Sequence, residues 1–202
     1  DYKEAIANLN TWLARFGNQP NAPAVHLDII KILEKQEKWS QIVSAAGSHL
    51  KKYPDEPASV RLEVLARRGF AYDELGKHKE AHAAFEETVA YFAGLNEAQV
   101  QDLSMDAVSA VAHAHFNLGE EKLREARRIK LDSPSDKEMA KAITQKLTTL
   151  TNAKTVYEKV IAYHHPGWEI AAWTQLGAAY QDFASSVENA TIALRGGMRE
   201  SF

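Results

Sequence analysis

The chain contains no cysteine, and that absence removes several chemistries at once. No disulfide can staple it, no thiolate can hold zinc, and no thiol can act as a nucleophile. No apolar run approaches the roughly 18 residues of a membrane span, so no direct membrane insertion is expected. There is no basic excess either: 24 Lys and Arg stand against 27 Asp and Glu, a net charge of -3. Binding led by phosphate neutralisation needs the opposite balance, and nucleic acid is not an expected partner. G-x-S-x-G, P-loop and dinucleotide fingerprints are missing. Gly196-Gly197 lacks both a preceding strand and a following phosphate-binding helix, and reads as a helix stop. No signal peptide or lipidation motif is visible at the ends. No cofactor is implied, and the chain is not expected to be an enzyme.

What the chain does contain is ordinary in bulk and specific in spacing. Its 202 residues are 45% hydrophobic and 25% charged, as in soluble globular proteins. Trp173, Leu176, Gly177 and Tyr180 fall at i, i+3, i+4 and i+7 and so share one helical face. A glycine inside a helix costs about 1 kcal/mol against alanine, a cost that close approach of a second helix would offset. Leu65, Arg68, Gly69 and Tyr72 repeat the spacing, and Gly76, Ala81 and Phe85 follow them. These are the W-x2-L-G-x2-Y pattern of the tetratricopeptide repeat and the Gly, Ala and aromatic of its second helix. The chain resembles that family. The resemblance implies an all-α fold: a right-handed superhelical solenoid of antiparallel helix pairs, one domain over residues 1–202.

Taken in order, 1–16 reads as a second helix with Ile6, Leu9, Trp12, Leu13 and Phe16 as its apolar stripe. The opening Asp1-Tyr2-Lys3-Glu4-Ala5 matches the start of the family's second helix, so the chain is expected to be a piece of a longer solenoid. Residues 24–35 follow as a first helix with Ile30 in the glycine position, and its partner helix runs from Trp39 to a proline stop at Pro54. The best-formed pair covers 57–75 and 78–92. The next pair, about 98–165, overruns the motif. Residues 120–131 carry no turn signal after Gly119, and the break comes only at 132–135, with Ser133 as expected N-cap and Pro134 as first helical residue. From Met139 to Ile161 the apolar spacing of three and four persists, which predicts one long helix. The expectation is an elongated hairpin projecting beyond its neighbours, with an ordinary folded-back pair as the alternative. His164-His165-Pro166-Gly167 ends that helix. Residues 168–183 form the last first-helix, followed by a weakly periodic segment over 185–194.

The eight histidines invite a metal reading. His78 and His82 lie at i, i+4, but Glu80 is misplaced for an H-E-x-x-H site, and a structural role is expected. His113 and His115 face different sides of one helix, and His164-His165 suits a helix C-terminus. No metal site is expected. Arg124, Arg127, Arg128 and Lys130 interleave with Glu120, Glu121 and Glu125, as on a solvated helix face.

In the tetratricopeptide family the first helices line a concave groove that holds peptides. The resemblance places Lys31, Lys35, Phe70, Asp73, Glu74, His113, Phe116, Asn117, Gln181 and Asp182 on that surface. The Lys, Asn and Arg clamp for a C-terminal carboxylate is not among them. The middle of the groove is acidic and aromatic, which favours a basic or apolar partner segment, with Phe70 and Phe116 as candidate anchors. The implied function is a non-catalytic protein-protein interaction module, an adaptor or assembly scaffold. The alternative is a substrate-docking arm of a multidomain enzyme whose catalytic domain lies elsewhere. Apolar end faces at Trp12, Phe16 and Phe183 suggest end-to-end self-association. A cysteine-free chain suits a bacterial protein of either cytoplasm or periplasm.

Overall fold

A computed structural model describes residues 1–133 and 135–199, excluding the side chains of 191–199. Among them there are nine helices and no strand: α1 (Tyr2–Phe16), α2 (Ala22–Lys35), α3 (Trp39–Lys52), α4 (Ala58–Glu74), α5 (His78–Ala93), α6 (Glu97–Gln101), α7 (Met105–Arg128), α8 (Asp136–Ala162) and α9 (Pro166–Arg199). The chain divides into two compact units, Asp1–Ala114 and His115–Phe202, and the division falls inside α7.

In the first unit α2 carries the apolar load. Its Leu27, Ile29, Ile30 and Leu33 are buried with Leu13 of α1, Ile42 and Ala46 of α3, Tyr53, and Val64 and Ala71 of α4. Two turns share one geometry. After α2, Glu37 adopts φ 56° and the Lys38 N–H donates to the Leu33 carbonyl at 3.0 Å; after α4, Gly76 adopts φ 70° and the Lys77 N–H donates to Tyr72 at 2.9 Å. This is the left-handed C-terminal turn that reverses a chain tightly enough to make an antiparallel pair.

The α4–α5 pair shows what the helical glycine is for. A Cβ on Gly69 would lie 2.7 Å from the ring carbons Cδ1 and Cε1 of Phe85, so the aromatic of the second helix occupies the space the missing side chain leaves. In the α2–α3 pair the sizes are exchanged: Ile30 takes the glycine position and Ala46 the aromatic one, and both are fully buried.

The second unit uses the same device. A Cβ on Gly119 of α7 would lie 2.9 Å from Cζ of Tyr157 on α8, and the Tyr157 hydroxyl donates to the Glu120 carboxylate. The helix runs straight through Gly119, as the lack of turn residues after it predicts. Helix α8 is one uninterrupted helix, but its cap differs from expectation. Ser135, not Ser133, accepts the Glu138 N–H, while Ser133 hydrogen-bonds the Glu138 carboxylate. Pro134 lies outside the described residues.

Helix α9 departs furthest from the sequence reading. It does not break near Ser185, and its backbone continues through Gly196-Gly197 to Arg199. Helix α9 packs on α8, and its middle comes beside α7 as well. Ala179, Asp182 and Phe183 line a small cavity together with Leu123, Ala126 and Arg127 of α7 and Lys146 and Leu150 of α8. Within its unit the hairpin is therefore not a bare projection, and Phe183 is half-buried rather than part of an open end face. Buried Lys146 donates to the Ile129 carbonyl at 3.4 Å, near the end of α7. Asn96 and Gln99 cap α6 reciprocally, a short element the periodicity did not reveal.

Candidate functional site

Helices α2, α4 and α7 bring a chain of charges together in the first unit. Lys31 of α2 lies 2.8 Å from Glu63 of α4 and 3.1 Å from Asp106 of α7. Arg67 of α4 answers it, 3.0 Å from both Glu34 of α2 and Glu63. Burial works against the Lys31 ammonium, but its hydrogen bonds to Glu63 and Asp106 outweigh that and hold its pKa above the ordinary lysine value. Two cations thus serve three carboxylates. The surface is less acidic than its composition suggests, because each carboxylate already has a positive partner.

A cleft of about 160 Å³ opens beside this network, lined by Glu34, Ala66, Arg67, Phe70, Asp106, Ser109, Ala110 and His113. Phe70 is half-buried there. Its ring meets Trp39 edge-on with centroids 5.4 Å apart and lies 5.3 Å from the His113 ring. Burial pushes the His113 imidazole down to about 4, Arg67 lowers it further, and Asp73 opposes. At neutral pH the ring is uncharged, so the cleft joins an aromatic edge to a shared set of charges.

The ten groove residues expected from the resemblance fall in two groups. Lys31, Phe70 and His113 take part directly in the network and its cleft. Asp73 is held by His78 at 2.9 Å, and Lys35 and Glu74 are exposed on the same helices. Phe116, Asn117, Gln181 and Asp182 belong to the second unit. There Phe116 packs against Tyr157 and Trp168 at centroid distances of 5.4 and 5.3 Å. Its ring is a packing element between α7, α8 and α9, which argues against its role as an anchor. Gln181 and Asp182 are exposed on α9.

The chain matches no protein-family model, no curated protein and no solved structure.

A second cluster joins α2 and α3. The rings of His26 on α2 and His49 on α3 stack within 3° of parallel, their Nδ1 atoms 3.0 Å apart. One of those nitrogens must donate and the other accept, so the contact holds a single proton. His49 Nε2 bonds the buried Glu56 carboxylate, and Arg61 Nη1 stands 3.5 Å from its other oxygen. Burial lowers the His26 pKa to about 4, with His49 and Lys52 adding to the effect. Tyr53 and Glu56 also border a surface cleft of about 530 Å³, with Pro20, Pro23, Pro54 and Pro57 around it. Neither histidine sits in a local motif, and 23 residues separate them, so no spacing rule could have joined them.

The other candidates are dispersed. His78 pairs with Asp73, and His82 lies 3.3 Å from Glu86. His115 and the Tyr163 hydroxyl are 3.1 Å apart. Among the described residues no three His, Asp or Glu side chains converge as a metal would require. Arg124, Arg127, Arg128 and Lys130 are exposed. Among the described residues no helix is long and apolar enough to cross a membrane.

Proposed function

We propose that the chain is a tetratricopeptide-like interaction module, a right-handed solenoid of helix pairs that holds a partner peptide against the face formed by α2, α4 and α7. The observation that carries this reading is the Lys31–Glu63–Arg67–Glu34–Asp106 network. It spans the first helices of three successive pairs, the surface on which such repeats bind extended or helical segments. The recurring seat of an aromatic on a helical glycine, Phe85 on Gly69 and Tyr157 on Gly119, supports the repeat assignment. No residue of the site is arranged as a nucleophile with its base, and the module acts by binding.

The cleft beside Phe70 admits one side chain. An Arg or Lys placed there shares the carboxylates of Glu34 and Asp106 while its stem lies along the Phe70 edge, and an apolar neighbour covers the rest. The test is selection of displayed peptides on the intact chain, followed by direct binding to the chain and to a Ser109→Trp variant that fills the cleft. Enriched sequences should pair a basic with an apolar residue and lose at least about tenfold in affinity for the variant. No enrichment over an unrelated helical protein, or equal affinity for the variant, sinks the proposal.

A further inference from the structure

Helix α9 carries an apolar stripe that none of the described residues covers. Ile170 is 68% exposed, Trp173 57% and Tyr180 38%. They align with exposed Gly177 and Ala184 on a face that flanks the one carrying buried Ala172, Leu176 and Ala179. The stripe holds the chain's fullest copy of the repeat signature, yet the expectation of close packing fails there. A Cβ on Gly177 would meet nothing within 4 Å. Solvent-exposed Trp, Ile and Tyr at the spacing of one helix face, around a glycine that weakens the helix, mark an interaction surface.

The chain itself indicates what fits. At Gly69, in the signature, and at Gly119 the space a side chain would take is filled by the ring of an adjoining helix, Phe85 and Tyr157. The charge on α9 narrows the choice. Between Pro166 and Ala190 it bears Glu169, Asp182 and Glu188 and no Lys or Arg. Glu169 lies at one end of the stripe, and Glu188, five turns beyond Ile170, lies on its line at the other. Lys154 of α8, which approaches Tyr180, is already paired with Glu158 at 2.9 Å. Two α9 faces packed antiparallel would set Glu169 of one copy near Glu188 of the other, a like-charge contact at each end.

We infer that this face receives an amphipathic helix of a partner protein that seats an aromatic ring on Gly177 and turns Lys or Arg toward Glu169 and Glu188. The surface shares no residue with the α2–α4–α7 cleft.

The probe is a helix-locked, fluorescein-labelled peptide with the sequence of residues 147–162. That sequence carries Tyr157 in the register that fills Gly119, and Lys154 and Lys159 against a single Glu158. It is titrated into the whole chain and followed by fluorescence polarisation. Expected is saturable binding that weakens with added salt and falls at least about tenfold for Gly177→Leu, for Trp173→Ala, and for a peptide with Tyr157→Ala. Gly177→Leu replaces an exposed helical glycine with a good helix former, so loss of folding cannot explain its effect. The Ser109→Trp chain should bind the probe unchanged, which separates this surface from the peptide cleft. Equal binding by the Gly177→Leu chain, or no binding at all, overturns the inference. Concentration-dependent dimerisation that Gly177→Leu abolishes, without peptide binding, also overturns it and makes a second copy the occupant.

Discussion

At the residue scale, the two glycines in the repeat signature, Gly69 and Gly177, have opposite neighbourhoods, and substitution should sort them. Gly69→Ala pushes a methyl into Phe85, where a Cβ would stand at 2.7 Å. Phe85 is 1% exposed and cannot swing away, so overpacking should cost about 1–3 kcal/mol. Gly177→Ala meets open space and gains helix propensity, worth up to about 1 kcal/mol of added stability. Urea unfolding of both variants checks the opposite signs. If both lose stability equally, the glycine seat is not what distinguishes the pairs. Titration is the second residue-scale prediction. His26 and His113 are each held near 4 against an ordinary 6.5. Between those values the unfolded chain binds more protons than the folded one, so stability rises with pH there. Their contribution is complete above about 6.5 and is lost as pH falls toward 4. For His113, that gap corresponds to roughly 3 kcal/mol at its lower end. A His113→Phe chain, compared with the parent by urea unfolding at pH 7.5 and 4.5, should lose visibly less stability on acidification. An unchanged pH difference would remove His113 from the account.

At the element scale, α8 depends on its first turn. Ser135 accepts the Glu138 N–H, and Asp136 and Glu138 stand in the positive end of the helix. Ser135→Ala should cost about 1 kcal/mol, and Ser133→Ala, which removes only an exposed contact with the Glu138 side chain, clearly less. Thermal unfolding of the two variants reverses this order if Ser133 is the true cap. Ser133-Pro134 is an ideal local cap signal, but Ser135, two residues on, has nearly the same credentials and takes the role. Longer signals were read well. The helix pairs over 22–52 and 58–93 and the single span of α8 follow from apolar residues at spacings of three and four, closed by Gly76, Pro54 and Pro166. Helix α9 was not readable in the same way. Beyond Ser185 its apolar periodicity is weak, so nothing in the pattern marks the helix as continuing. The site divides similarly. Lys31, Phe70 and His113, which the resemblance put on one surface, lie in or beside one cleft in the structure. Arg67 and Glu63 escaped because their role depends on the distance between helices. The His26–His49–Glu56 cluster escaped because it joins three elements that share no motif.

At the scale of the whole molecule, the chain has two compact units and one helix common to both. The first core gathers on α2, with Ile30 fully buried among residues of α1, α3 and α4. The second gathers on α8, where Leu150 is 1% exposed and Tyr157 fully buried. Each core is described within its own unit, and a cavity in either should weaken first the helices packed around it. Ile30→Ala and Leu150→Ala should each cost about 2–5 kcal/mol. The locus of the loss is the informative quantity. Hydrogen exchange in native buffer should show Ile30→Ala accelerating amides of α2 to α5 while those of α8 and α9 keep their protection, and Leu150→Ala the reverse. Helix α7 is the internal control. It has no break between Ala114 and His115, so its two halves should respond to different variants, Val111 and Ala112 to the first and Leu123 and Ala126 to the second. If either substitution instead accelerates every helix alike, the two cores open as one cooperative body and α7 transmits the loss. A ligand seated on the α2–α4–α7 face would then protect α9 as well, and partner binding at one surface would be felt at the other.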